Sequence, residues 1–376
     1  MVQFTPSYFS PRSGFVINQL SGAGCRHMGN FPTLPLRGEL AVSPGRMFDC
    51  RVDVAPGRGH AGWYETHVQD SVRAQLTVTC RTGMARYDFP ASDSLGTVII
   101  GTGVAATAIT QAAVSVTGPR SCEGYAEGGE FCGIRTPYKV YFVAEFDTDA
   151  LRSGIWERER LTPGGRFAEG GESGVYFVFD LRHGRTVHYR IGISYVSVEN
   201  ARANLRAENP GWDFDAVRRA AQDEWNEWLG RIEVKGGTQQ QRTKFYTDLW
   251  HVLLGRHKID DVNGEYPDLT DGQRAGSFTR DIRVKTRTLP RDAAGRVVHH
   301  MYNSDAFWLT QWNLNVLWGL GWPEMPDEMS ASLIRYADNG GLIPRGPCAG
   351  GYTYIMSGCP ATPLIVSAYN LSLIHI

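Results

Sequence analysis

The sequence predicts two domains, a β-rich half followed by an α-helical half. Three observations predict it. Up to about residue 200, apolar side chains alternate in short runs punctuated by Gly and Pro. From Asp215 onward the apolar period becomes helical. A chain of 376 residues with 42% hydrophobic content is also long enough to fill two cores.

The β half shows its strands in order. "SVRAQLTVTCRTGMARYDFP" sets Val72, Leu76 and Val78 on one register, with Gly83 as the expected turn. "YKVYFVAEF" alternates Tyr138, Val140, Phe142, Ala144 and Phe146 against Lys139, Tyr141, Val143 and Glu145. Both faces are largely apolar there, which suits a strand held between layers. "GVYFVFDLRHGRTVHYRIGISYVSV" reads as two strands joined at Arg182-His183-Gly184. Short strands at this density argue for a β-sandwich.

Four helices are expected after it, without intervening strands. Val217, Ala221, Trp225, Trp228, Leu229 and Ile232 keep helical spacing from Asp215 to Ile232. "QRTKFYTDLWHVLLG" places Phe245, Leu249 and Leu253 four apart and stops at Gly255. "SDAFWLTQWNLNVLWGLG" is the third, with Ser304 as N-cap and Gly319 as stop. "DEMSASLIRYADNGG" is the fourth, with Asn339-Gly340 as a left-handed cap. Glu324, Asp327 and Glu328 suit its first turn, where they complement the helix dipole.

Composition excludes several classes. Lys+Arg number 38 and Asp+Glu 39, a formal net charge of -1, so no basic stripe invites nucleic acid or an anionic membrane. No apolar run reaches the roughly 18 residues of a membrane span. "MVQFTPSYFSP" is not a signal peptide, which leaves either a cytosolic protein or sequence upstream. Ten Trp, 16 Tyr and 16 Phe suit a large aromatic core or clefts that stack flat ligands such as sugars. Seven cysteines leave at least one thiol free, and none forms a CxxC pair. Cys122 and Cys132 bracket "CEGYAEGGEFC", and either form a bridge or remain buried thiols.

Most candidate motifs fail on spacing. "DDVNGEYPDLTDG" lacks the Gly and the bidentate Glu of a calcium loop, and Asn263-Gly264 reads as a tight hairpin turn. "LSGAGCRHMGNFPTLP" does not match a phosphate loop, although its glycines would let backbone approach a ligand closely. No GxSxG elbow occurs. "NSDAFWLTQWN" differs from these. Asp305 stands there among Trp308, Thr310, Gln311, Trp312 and Asn313, with no basic residue. Helix capping and sugar binding are both open readings of Asp305.

Taken together, these stretches resemble glycoside hydrolase family 92, the calcium-dependent exo-α-mannosidases. The resemblance runs from Met1 to about Tyr369. "LSGAGCRHMGNFP", "GWYETHVQDSVRAQLTVTCRTGMARYDFP", "GISYVSVENARANLRAENPGWDFD" and "FYTDLWHVLLGRHKIDDVNGEY" carry it, in the family's order. The family's "LWDTFRAxHPL" is similar to "NSDAFWLTQWNLNVL", where Asp305 takes the Asp position, Ser304 replaces Trp and Trp308 replaces Arg. Gln75 stands where the family has Glu.

The resemblance implies a β-supersandwich over residues 1–206, a helical linker over 207–236 and the first part of an (α/α)6 barrel over 237–370. It implies Asp305, Trp308, Gly24 and Cys25 as substrate-binding residues, and mannose-containing glycans as partner. It also implies inversion with a Glu acid, an Asp base and Ca2+. The family's motifs for these have no match in the chain, so the catalytic carboxylates and calcium ligands are expected outside it. Met1 resembles an internal methionine of the family, and residues 371–376, "LSLIHI", are expected to be a non-native tail. A secreted or periplasmic location follows from the glycan substrate. The rival expectations are a non-catalytic carbohydrate-binding remnant and another (α/α)6 glycosidase or phosphorylase.

Overall fold

The computed structural model describes residues 5–6, 14–19, 27–45, 52–103, 105–132, 137–254, 257–273, 282–303, 307–308, 310–355 and 357–371. The chain divides into two compact units. Residues 1–19, 26–129 and 138–222 form the first; residues 20–25, 130–137 and 223–376 form the second.

Among the described residues, the first unit is built on two antiparallel sheets. One has seven strands in the order Thr5–Pro6, Phe15–Val16, Thr33–Arg37, Leu95–Gly101, Ser173–Asp180, Arg152–Glu157, Arg160–Pro163. The other has nine, in the order Phe167–Glu169, Ile109–Gly118, Ser121–Gly128, Tyr138–Phe146, Thr186–Ser194, Thr82–Asp88, Val72–Val78, Trp63–Val68, Arg58–His60. The sheets meet through aromatic rings. Phe146 of the larger sheet lies 4.9 Å from Phe177 and 5.0 Å from Phe179 of the smaller, ring centre to ring centre.

The strand at Tyr138–Phe146 is covered on both faces, as its pattern predicts. Its outer cover is a helix. α1, Val198–Glu208, packs Ala201 and Leu205 onto Val143. α1 starts at Ser197, whose hydroxyl accepts from the Asn200 N–H at 3.1 Å. Gly192 allows the approach, because a Cβ there would stand 2.5 Å from the Ala201 carbonyl oxygen.

One β-half expectation is corrected and two are made definite. The turn between Val72–Val78 and Thr82–Asp88 lies at residues 79–81, and Gly83 sits inside the second strand paired with Val78. Arg182-His183-Gly184 joins two strands, as expected, and those strands belong to different sheets, so the link crosses the sandwich. Cys122 is a fully buried free thiol on a strand, while Cys132 is disulfide-bonded, so the two are not bridged to each other. Burial pushes the Cys122 thiol far up.

The α half contains α2 (Phe214–Leu229), α3 (Gln239–Leu253), α4 (Leu314–Gly321), α5 (Glu324–Gly340) and α6 (Ala361–Asn370). In the second unit, α3 to α6 converge on a core that includes Leu253, Trp318, Trp322, Met329, Leu333 and Leu364. Two buried indoles satisfy their N–H groups on backbone: Trp318 donates to the Val252 carbonyl at 3.3 Å and Trp322 to that of Trp228 at 2.9 Å.

The expectation of helices without strands between them is corrected. Two-stranded ladders intervene at His257–Lys258 with Tyr302–Asn303, at Glu265–Asp268 with Lys285–Thr288, and at Pro347–Cys348 with Gly351–Tyr352. They are too short to show a period. Asn263-Gly264 does make a tight turn, with Gly264 at φ +82° and its N–H on the Asp261 carbonyl at 2.8 Å. The Glu265 carbonyl accepts the Asp261 N–H back across the turn at 2.8 Å, and the strand leaving it, Glu265–Asp268, then pairs with Lys285–Thr288. The third helix begins at Leu314, not Ser304, and Gly319 lies within it. A turn at 307–308 and a 3-10 turn over Thr310–Trp312 precede it, fixed by the Thr310 hydroxyl donating to the Phe307 carbonyl at 2.8 Å. The left-handed cap of α5 is Gly341, at φ +77°, one residue past the expected Gly340. Gly255 and Ser304 lie outside the described residues.

Candidate functional site

Of the four residues the sequence singles out, the structure describes Trp308. Asp305, Gly24 and Cys25 lie outside the described residues. Trp308 stands in the turn after the His257–Lys258/Tyr302–Asn303 ladder and is 44% exposed. Trp312 is 75% exposed. Its neighbours Phe307 and Thr310 are buried, which fixes the turn that carries the rings.

The ladder leading into this region is tightly held. Asp260, fully buried, accepts from the Met301 N–H and from His300 Nδ1, each at 2.8 Å. The Ile259 N–H donates to the Met301 carbonyl at 2.9 Å. Asn303, also fully buried, accepts the Ala349 N–H on its side-chain oxygen at 3.1 Å. Tyr302 is met by α5: its N–H donates to the Ser332 hydroxyl at 3.0 Å, its hydroxyl to the Glu328 carboxylate, and its carbonyl accepts from Tyr336 Oη at 3.3 Å. Sequence reasoning missed this set. A signal existed: Glu328, Ser332 and Tyr336 recur four apart, a polar stripe on a helix face that otherwise buries Met329 and Leu333.

The electrostatics favour the neutral forms of His257 and His299. Burial pushes His257 down to about 3 and lowers His299 as well. Burial and the neighbouring Glu328 charge raise the Asp327 carboxyl. Glu324, partly buried, is held below the usual range by its pair with Arg231 at 2.5 Å.

Among the described residues no group of three or more His, Cys, Asp or Glu side chains could hold a metal ion. Asp260 is committed to His300 and Met301, and Asp268 to the Thr270 hydroxyl at 2.6 Å and Arg287 at 2.5 Å. These acids do not fit a calcium site.

In the first unit, the loop that follows "LSGAGCR" is equally well held. The Asn18 side-chain oxygen accepts from the N–H groups of Gly29 and Asn30 at 3.1 and 2.7 Å. Tyr138 Oη donates to the Asn30 side chain at 3.0 Å. Met28, Gly29 and Phe31 take positive φ, a backbone shape that these bonds sustain.

Two family models match the chain in succession. The glycosyl hydrolase family 92 N-terminal domain covers residues 7–194, and the glycosyl hydrolase family 92 catalytic domain covers residues 200–373. A curated relative, an uncharacterized secreted glycosidase of Arthroderma benhamiae, is 26% identical over 289 residues, 68% of this chain and 36% of its own. Among solved structures, a family 92 α-mannosidase of Bacteroides thetaiotaomicron superposes with a TM-score of 0.79 at 20% identity, over 96% of this chain and 49% of that one. The same enzyme solved with mannoimidazole gives 0.79 at 19% identity, over 98% and 50%. A family 92 inverting mannosidase of that organism gives 0.73 at 20% identity, over 98% and 49%. The chain thus spans about half the length of these solved relatives, and their likeness extends over both its sheet-rich and its helical parts.

Proposed function

The chain belongs to glycosyl hydrolase family 92, and on that premise we propose that it is part of a glycosidase removing terminal α-linked mannose from mannose-containing glycans. The observation that carries this is the pair of consecutive family matches, N-terminal domain then catalytic domain, over residues 7–194 and 200–373. The solved relatives named as α-mannosidases, one holding mannoimidazole, support the sugar. The proposed division is a β-supersandwich over 1–206, a helical linker over 207–236 and part of an (α/α)6 barrel over 237–370, with 371–376 as a tail.

In this reading Asp305 accepts hydrogen bonds from mannose hydroxyls and Trp308 stacks against the apolar face of the ring. Gly24 and Cys25 bring backbone close to the sugar. The reaction is inversion. An acid protonates the leaving oxygen while a base takes a proton from water attacking the opposite face of the anomeric carbon, the two carboxyls standing roughly 6.5–9.5 Å apart. Neither carboxylate is assigned to this chain. Calcium is part of the proposal, but the described residues do not supply its ligands and no step is drawn through it. The glycan substrate, together with the curated relative named as secreted, supports an extracellular or periplasmic location. No helix among the described residues is long and apolar enough to cross a membrane.

The test is NMR of the first product formed from an α-mannoside by the protein that carries this chain. β-Mannose appearing first, with its rate abolished by a calcium chelator, is the expected result. α-Mannose first would overturn inversion. Binding of mannose without hydrolysis would favour a carbohydrate-binding protein. Asp305→Ala is expected to lower turnover by about a hundredfold or more at an unchanged melting temperature; near-normal turnover removes Asp305 from the site.

A further inference from the structure

We propose that the outer face of α4, with the neighbouring end of α6, is a dimer interface that docks a second copy of this chain. The inference is independent of the sugar reading. α4 is apolar but for one residue, Asn315, and that residue faces inward: Asn315 and Trp318 are both fully buried. On the outer side Trp312, Val316 and Leu320 recur four apart and are 75%, 49% and 73% exposed. α6 lies against α4, since a Cβ at Gly319 would stand 2.2 Å from Leu371 Cδ1. α6 adds Val366 and Tyr369, 48% and 51% exposed. Neither helix has a charge to turn toward water. Residues 306–323 and 346–371 contain no Asp, Glu, Lys or Arg. A helix that is apolar all round is buried all round. α3 and α5 behave otherwise, presenting the ion pairs Lys244–Asp248 and Arg335–Asp338.

The chemistry of this face selects its occupant. A glycan needs directed hydrogen bonds, and the side chains of Val316, Leu320 and Val366 supply none. An anionic membrane would need Lys or Arg beside the stripe, and the two segments hold neither. A different protein would be told from its competitors by complementary charge, which is absent. A second copy needs none. Around a two-fold axis each residue meets its own counterpart, so a charge there would face its like. An uncharged stripe meets no such repulsion. The area also fits. The five side chains expose on the order of 600 Å², more than a scattered surface residue requires and close to the roughly 800 Å² per partner of a standard interface. Exposed Gln311, Asn313 and Thr362 supply the polar rim.

The experiment is sedimentation equilibrium of the 376-residue chain, over about 1 to 100 μM. The expected result is a dimer with a dissociation constant of about 10 μM or tighter. Leu320→Lys should weaken it about a hundredfold or more, because two ammonium groups then meet across the axis. Its monomer should keep the parent melting temperature, since the side chain it replaces is exposed. Leu151→Lys, at an exposed leucine of the first unit, should leave association unchanged. Added salt should leave the parent dimer intact or tighten it. A monomer throughout overturns the proposal. So does a dimer that persists in Leu320→Lys, that Leu151→Lys disrupts equally, or that salt dissociates. An open series of oligomers without a dimer plateau means a heterologous contact and overturns it too. One readout needs no variant. Amide hydrogen exchange over residues 311–321 should slow about tenfold between the two ends of that concentration range. Exchange that is slow already at the lowest concentration shows the face covered within one polypeptide, and exchange that stays fast shows it uncovered; either rules the dimer out.

Discussion

Burial leaves His257 neutral well below the pH at which a free imidazole takes up its proton. Its folded-state value, pushed down to about 3, lies below the ~6.5 of an unfolded histidine. The unfolded chain therefore binds the proton first. The contribution to stability is intact above pH ~6.5 and shrinks as pH falls from there toward 3, by up to about 1.4 kcal/mol per pH unit. Urea midpoints across that window should drop more steeply for the parent than for His257→Gln, and parallel curves would show that this imidazole is not the group responsible. Nothing in the local sequence marks His257 as special, because its burial comes from tertiary packing. Trp308 is the opposite case. Its aromatic, amide-rich neighbourhood singled it out in the sequence, and it is 44% exposed.

At the scale of elements, legibility followed period and length. The helices α2, α3 and α5 run 16, 15 and 17 residues and show in the apolar spacing to within a few residues. The start of α4 did not show, because the aromatic run from Phe307 to Trp312 imitates a helical stripe while its backbone turns twice. The two-residue ladders were invisible for want of repeats, and with them went the framework around Tyr302. α3 gives an element-scale prediction. It opens on a capping box, in which the Thr238 hydroxyl accepts from the Gln241 N–H at 3.2 Å and the Gln241 side chain accepts from the Thr238 N–H at 2.8 Å. Thr238→Ala should cost about 1 kcal/mol of stability, and Thr238→Ser should recover most of it. Equal denaturation midpoints for the alanine variant and the parent would mean that the start of α3 frays in the native state.

On the scale of the whole molecule, the β-then-α order was legible because composition, alternation and helical period agree along hundreds of residues. Sheet order was not, since pairing partners lie far apart in the chain. Leu95–Gly101 pairs on one side with Thr33–Arg37 and on the other with Ser173–Asp180. Thr82–Asp88 likewise pairs with Thr186–Ser194. Such long-range pairing should make refolding slow, on the scale of seconds or longer, and a native near-UV signal regained within a millisecond would contradict it. The same pairing governs events on the ribosome. Once Leu95–Gly101 has emerged, its second neighbour is still unmade. At about 5–20 residues per second, translation needs roughly 4–14 seconds to reach Ser173. Through that interval "LGTVIIG" presents an unpaired, apolar edge. The nascent chain therefore needs that edge shielded until its second partner strand has been made.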